Sequence, residues 1–87
     1  TPTTDMRQIE RSLNRISATG DEKKILVRIH PEVALQIIEN EANFLKRLRK
    51  ATKLVLDIRD DPLLREDEFR MLSGPAEVDV TSRYAAA

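Results

Sequence analysis

Between Lys24 and Arg59 the apolar period changes from two to about 3.6 and back to two, which restricts the chain to folds where a helix crosses between two strands. From Lys24 to His30, Ile25, Val27 and Ile29 point one way and Leu26, Arg28 and His30 the other, with β-branched residues dominating. This pattern predicts a strand with one buried face. Pro31 then suits the first turn of a helix, where its missing N–H costs nothing, and it pushes His30 into extended geometry at the junction. The helix that follows reads as one long element: Val33, Ala34, Ile37, Ile38, Phe44, Leu45 and Leu48 form a wide apolar stripe. Its charges are sorted, with Glu32, Glu39 and Glu41 early and Lys46, Arg47, Arg49 and Lys50 late, as the helix dipole favours. Leu54, Leu56 and Ile58 next alternate with Val55, Asp57 and Arg59, predicting a second strand over 53–59 that Asp60-Asp61-Pro62 ends.

The flanks complete a layered domain. Met6, Ile9, Leu13 and Ile16 recur at helical spacing and predict a first amphipathic helix over 5–18, with Thr4 or Asp5 at its start and Gly20 as its stop. After an acidic, irregular stretch from Leu63 to Glu68, Phe69, Arg70, Met71 and Leu72 predict a short third strand, and Ser73-Gly74-Pro75 turns the chain. Val78 and Val80 alternate with Glu77 and Asp79 as a candidate exposed edge strand, and Tyr84 to Ala87 are expected to fray. The expected fold class is α+β: two layers, in the order helix–strand–helix–strand–strand, with a small mixed sheet and both helices on one face. The 24–30 and 53–59 strands would form a right-handed parallel crossover and the third would join antiparallel. The expected division is a linker over 1–4, the α+β domain over 5–74, and a C-terminal extension over 75–87. The core is expected from Ile9, Leu13, Ile25, Val27, Ile29, Val33, Ile37, Phe44, Leu54, Leu56, Ile58 and Phe69.

Composition narrows the function classes. With 87 residues the chain can form one core, and its 15 Lys plus Arg balance 15 Asp plus Glu, so no global basic field draws it to nucleic acid or an anionic membrane. Cysteine is absent, which removes disulfides and thiolate metal sites and fits a reducing, cytoplasmic compartment. No apolar run approaches the roughly 20 residues of a membrane span, and the opening Thr1-Pro2-Thr3-Thr4-Asp5 is not a signal peptide. Because it does not begin with methionine, the chain reads as a piece of a longer polypeptide.

Few side chains suggest chemistry. His30 is the only histidine, and none of Ser12, Ser17, Ser73 and Ser82 stands in a spacing that makes it an activated nucleophile. Asp57, Asp60, Asp61, Glu66, Asp67 and Glu68 are rich in carboxylate but lack the pattern of a calcium loop, so a solvated acidic loop is the preferred reading. The expected catalytic, metal and cofactor residues are therefore none. Lys46, Arg47, Arg49, Lys50 and Lys53 are the candidate contacts for RNA phosphates, set against the plainer reading of solvated residues complementing the helix dipole. With Phe44 and Phe69 assigned to the core and only Gly20 and Gly74 present, no base-stacking platform or Gly-x-x-Gly clamp is legible.

Val27-Arg28-Ile29-His30-Pro31-Glu32-Val33-Ala34 resembles the strand-to-helix junction of the C-terminal small domain in bacterial ribonuclease E/G-type endoribonucleases. Arg59-Asp60-Asp61-Pro62-Leu63 through Glu68-Phe69 is similar to that domain's ending, and the Met6 to Ile16 helix matches it in position. The resemblance spans about residues 5–72 and includes no catalytic motif. It implies a non-catalytic domain of a magnesium-dependent, RNA-cleaving enzyme, used to pack against other domains or subunits. The family's magnesium-binding aspartates, zinc-linking cysteines and RNA-binding domain all lie upstream, so magnesium and zinc are expected only there. RNA would be met through the parent protein, and neither a membrane nor DNA is an expected partner. An autonomous RNA-binding module and an unrelated protein-interaction domain are the alternative readings.

Overall fold

A computed structural model of the chain describes residues 2–85. Helix α1 spans Pro2–Thr19, strand β1 Lys24–Ile29, helix α2 Pro31–Asn40, helix α3 Phe44–Thr52, strand β2 Val55–Asp60, strand β3 Phe69–Ser73, strand β4 Val78–Asp79 and helix α4 Thr81–Tyr84. The sheet is mixed and open, in the order β2-β1-β3-β4, with β1 parallel to β2 and antiparallel to β3. The α+β class and the parallel crossover are therefore as the period switch predicts.

All four helices lie on the side of the sheet to which Ile25, Val27 and Ile29 point. These three are essentially inaccessible, as are Ile9, Leu13 and Ile16 of α1, and one cluster joins them to Val33, Ile37, Phe44, Leu48, Leu56 and Met71. The alternation of β1 is thus a consequence of one-sided burial. Ile58 and Phe69, expected in the core, are only partly buried at its margin. Met71, Val80 and Tyr84 fill the places that the sequence reading left unassigned.

The long helix expected across 31–50 is two helices. Glu41 leaves helical geometry at φ −136° and ψ 49°, and its N–H closes α2 on the Ile37 carbonyl. A continuous helix over 31–52 would run about 33 Å at 1.5 Å per residue. The whole fold measures 30 × 25 × 25 Å, so the break at 41–43 keeps both halves over the sheet. The break also explains Ile38. It belongs to the predicted apolar stripe yet is 72% exposed, because α2 turns only Val33 and Ile37 fully inward.

Several boundaries move for local reasons. Helix α1 starts at Pro2, whose missing N–H is harmless in a first turn, so residues 2–4 are helical rather than linker; Thr1 lies outside the described residues. Gly20 follows α1 at φ 71°, as its reading as a stop requires. Strand β2 begins at Val55, two residues later than predicted, because Lys53 caps α3 in the left-handed region at φ 60°. A side chain there costs about 1–2 kcal/mol, and glycine returns part of the gain as chain entropy. Lys53→Gly should therefore stabilise the fold by about 0.5–1 kcal/mol, read as a raised thermal midpoint.

The C-terminal extension is part of the domain as far as Ala85. Strand β4 pairs with β3, Val80 is buried, and Thr81 Oγ1 accepts the Met71 N–H at 2.8 Å. The expectation that Tyr84 frays is overturned: its ring is buried and its hydroxyl donates to Glu22 at 2.9 Å. Ala86 and Ala87, the rest of that expected tail, lie outside the described residues. Val80 is consequently a core residue rather than part of an exposed edge strand.

Candidate functional site

His30 serves the junction that its position before Pro31 suggested. It is extended, at φ −61° and ψ 143°, and its Nδ1 accepts the Glu32 N–H at 3.1 Å, so the imidazole caps α2. A cap of this kind is usually Ser, Thr, Asp or Asn. Asp61 is buried and structural: it pairs with Arg28 at 3.0 Å and accepts the Leu63 N–H at 3.0 Å. Among the described residues no three His, Asp or Glu side chains come together in a group that would hold a metal ion.

The five predicted phosphate contacts divide between Arg47 and Arg49, which turn to other elements, and Lys46, Lys50 and Lys53, which stay exposed along α3 and its cap. Splitting the long helix places Lys46 and Arg47 in the first turn of α3, where the dipole does not favour cations, so dipole complementarity explains only Arg49, Lys50 and Lys53. Arg47 borders a hollow with Met6, Arg7, Glu10, Glu41 and Phe44. Arg49 turns to the β2 edge, where its Nε donates to the Leu56 carbonyl at 2.8 Å. Beside it, the Ile58 N–H is taken by the Asp57 carboxylate at 2.9 Å. Lys46 and Lys50, one turn apart, and Lys53 remain exposed without an ion pair among the described residues.

Two surfaces stand out instead. The first is a largely apolar hollow of about 500 Å³ between α2, α3 and β2, walled by aliphatic residues such as Leu35, Ile38, Leu45 and Ile58 and bordered at the end of β2 by Arg59 and Asp60. Leu35 is 47% exposed there, beside Ile38. The second is the sheet face that carries no helix. Register sets Arg59, Arg28 and Arg70 abreast on β2, β1 and β3, and sets Asp57, Leu26, Leu72 and Asp79 abreast in the parallel row. Neither surface was legible in the sequence, because the first needs the helix break and the second needs the strand register. The residues themselves were visible: Ile38 in a stripe, Arg28 and Arg59 on the polar side of their strands.

Hydrogen bonds tune two carboxylates at the rim of the domain. Donation from the Ser73 and Tyr84 hydroxyls holds Glu22 below its usual range, and donation from Thr81 does the same for Asp79. The Glu22 bonds tie β3 and the C-terminal segment to the loop before β1, whereas the Asp79 bond to Thr81 is local to that segment. These hydroxyls, and for Asp79 also the Thr81 backbone N–H at 2.9 Å, donate to the charged form and stabilise it. No helix among the described residues is long and apolar enough to cross a membrane. No protein-family model, curated protein or solved structure matches the chain.

Proposed function

We propose that this chain is a non-catalytic packing domain of a larger cytoplasmic RNA-processing enzyme of the ribonuclease E/G type, joining other domains or subunits of the parent. The observation that carries this reading is the hollow between α2, α3 and β2. In a chain with 34% charged residues, Leu35 and Ile38 stand open to water side by side on α2 along a largely aliphatic trough, where another protein surface would bury them. The residues Val27 to Ala34 around the His30-Pro31 junction and the segment Arg59 to Phe69 supply the resemblance to that family. Magnesium and zinc would serve the upstream parts of the parent, and RNA would be met there.

The test supplies the chain to the catalytic region of a ribonuclease E/G-type enzyme from the same organism, prepared without its own small domain. Sedimentation should show a stoichiometric complex with the wild-type chain and none with Ile38→Glu, whose exposed position leaves the fold intact. The chain alone should cleave no single-stranded RNA in magnesium. Failure of the wild-type chain to form the complex, or cleavage by the chain that Asp57→Asn or Asp60→Asn abolishes, would overturn this reading.

A further inference from the structure

We infer that the helix-free face of the sheet docks an acidic helix of a neighbouring domain or subunit, with its carboxylates set against Arg59, Arg28 and Arg70. The choice of a protein partner rests on the packing-domain reading above. Like charges directly opposite on neighbouring strands destabilise a sheet, and here three arginines stand abreast. Their own chain offsets this in part: Arg28 pairs with Asp61 at 3.0 Å and Arg70 lies 3.6 Å from Glu68. Both remain accessible, with side chains 41% and 46% exposed. Arg59 is exposed and has no ion pair among the described residues, and the Arg28 Nε is buried without a hydrogen-bond partner. The row is therefore short of negative charge on its outer side.

The neighbouring row distinguishes a protein from a nucleic acid. Asp57 and Asp79 flank Leu26 and Leu72, so a continuous polyanion crossing the face would meet carboxylates one pleat away from the arginines. All three aromatic residues, Phe44, Phe69 and Tyr84, pack with the core on the other side, leaving no ring here for a base to stack on. A helix can answer both rows at once. Strands lie about 4.8 Å apart, so the arginine row spans roughly 10 Å. Carboxylates at i, i+3 and i+7 of a helix fall at about 4.5 and 10.5 Å along its axis, one for each arginine. An adjacent ridge of that helix would place aliphatic side chains over Leu26.

The probe is a capped alanine-based helical peptide with Glu at i, i+3 and i+7 and leucines on the adjoining ridge, followed by fluorescence anisotropy. Saturable binding that weakens with salt is expected, with affinity lost by about tenfold or more in Arg59→Glu and by less in Arg59→Gln. Neither substitution should lower the thermal midpoint, because each relieves the repulsion with Arg28. The matching Lys peptide and a labelled oligouridylate should not bind. Absence of binding by the acidic peptide, binding indifferent to Arg59→Glu, or Arg59-dependent binding of the oligouridylate in its place would each overturn the inference. The same Arg59→Glu chain in the sedimentation assay separates the two readings. An unchanged complex with no peptide binding removes this inference alone, whereas peptide binding without any complex removes the packing-domain reading alone.

Discussion

Truncating Ile25 to alanine should cost about 2–5 kcal/mol, the largest loss expected from a single substitution, and lower the thermal midpoint by about 10 °C or more. Ile25 is inaccessible on β1, the strand held between β2 and β3, and its side chain meets the helical layer. Neighbours fixed on both sides cannot collapse into the space, so the cavity persists and adds to the lost burial. A domain of this size commonly holds only about 5–15 kcal/mol in all. Ile37→Ala should fall at the lower end of the same range, because Ile37 borders the open hollow beside Ile38 and water can enter the space it leaves. Urea titrations of the two variants would check the order. Equal losses would show that the α2 side of the core is as rigid as the sheet.

Replacing Tyr84 with alanine should cost about 2–4 kcal/mol, an effect that the sequence, read as a fraying tail, would have put near zero. The ring completes the core beside α1, and the hydroxyl reaches Glu22, 62 residues away. Tyr84→Phe isolates the polar part. Glu22 sits below its ordinary value of 4.5, chiefly through the Ser73 hydroxyl and then through Tyr84. A carboxylate with a lowered folded value stabilises the fold above its ordinary value, and that stabilisation disappears as the pH drops through the lowered one. Losing the Tyr84 donor should move Glu22 back toward 4.5. Wild type should therefore lose more of its thermal midpoint than Tyr84→Phe between about pH 5 and pH 3. Parallel melting profiles for the two chains across that interval would show that the hydroxyl contributes nothing to holding the carboxylate.

What could be read in advance was local. Ile25, Val27 and Ile29 alternate because one face of β1 meets helices, and Pro31 fixes the start of α2 by its ring, so both were legible from neighbours within a few residues. The break at Glu41 was hidden because Ile37, Phe44 and Leu48 keep spacings of seven and four, which a single helix would also satisfy. Tyr84 was hidden because its partners lie at the other end of the chain. The candidate site divides in the same way. The cations of α3 were individually visible, but their division depends on Arg49 folding back to Leu56 and Arg47 facing α1. The row Arg59, Arg28, Arg70 exists only once three strands have been brought into register.

Arg49 and Asp57 have a consequence for how copies of this molecule behave at high concentration. An outer strand with free main-chain donors and acceptors can recruit another strand, and then another, as the first step of polymer growth. Along β2 the outward carbonyl of Leu56 is taken by Arg49 and the outward N–H of Ile58 by Asp57, so an arriving strand finds these two bonds already made. At the opposite margin β4 is two residues long and runs directly into α4, too short a template to hold a newcomer. Both margins of the sheet are thus blunted by the chain's own side chains and connections, which makes each a poorer template for a further strand.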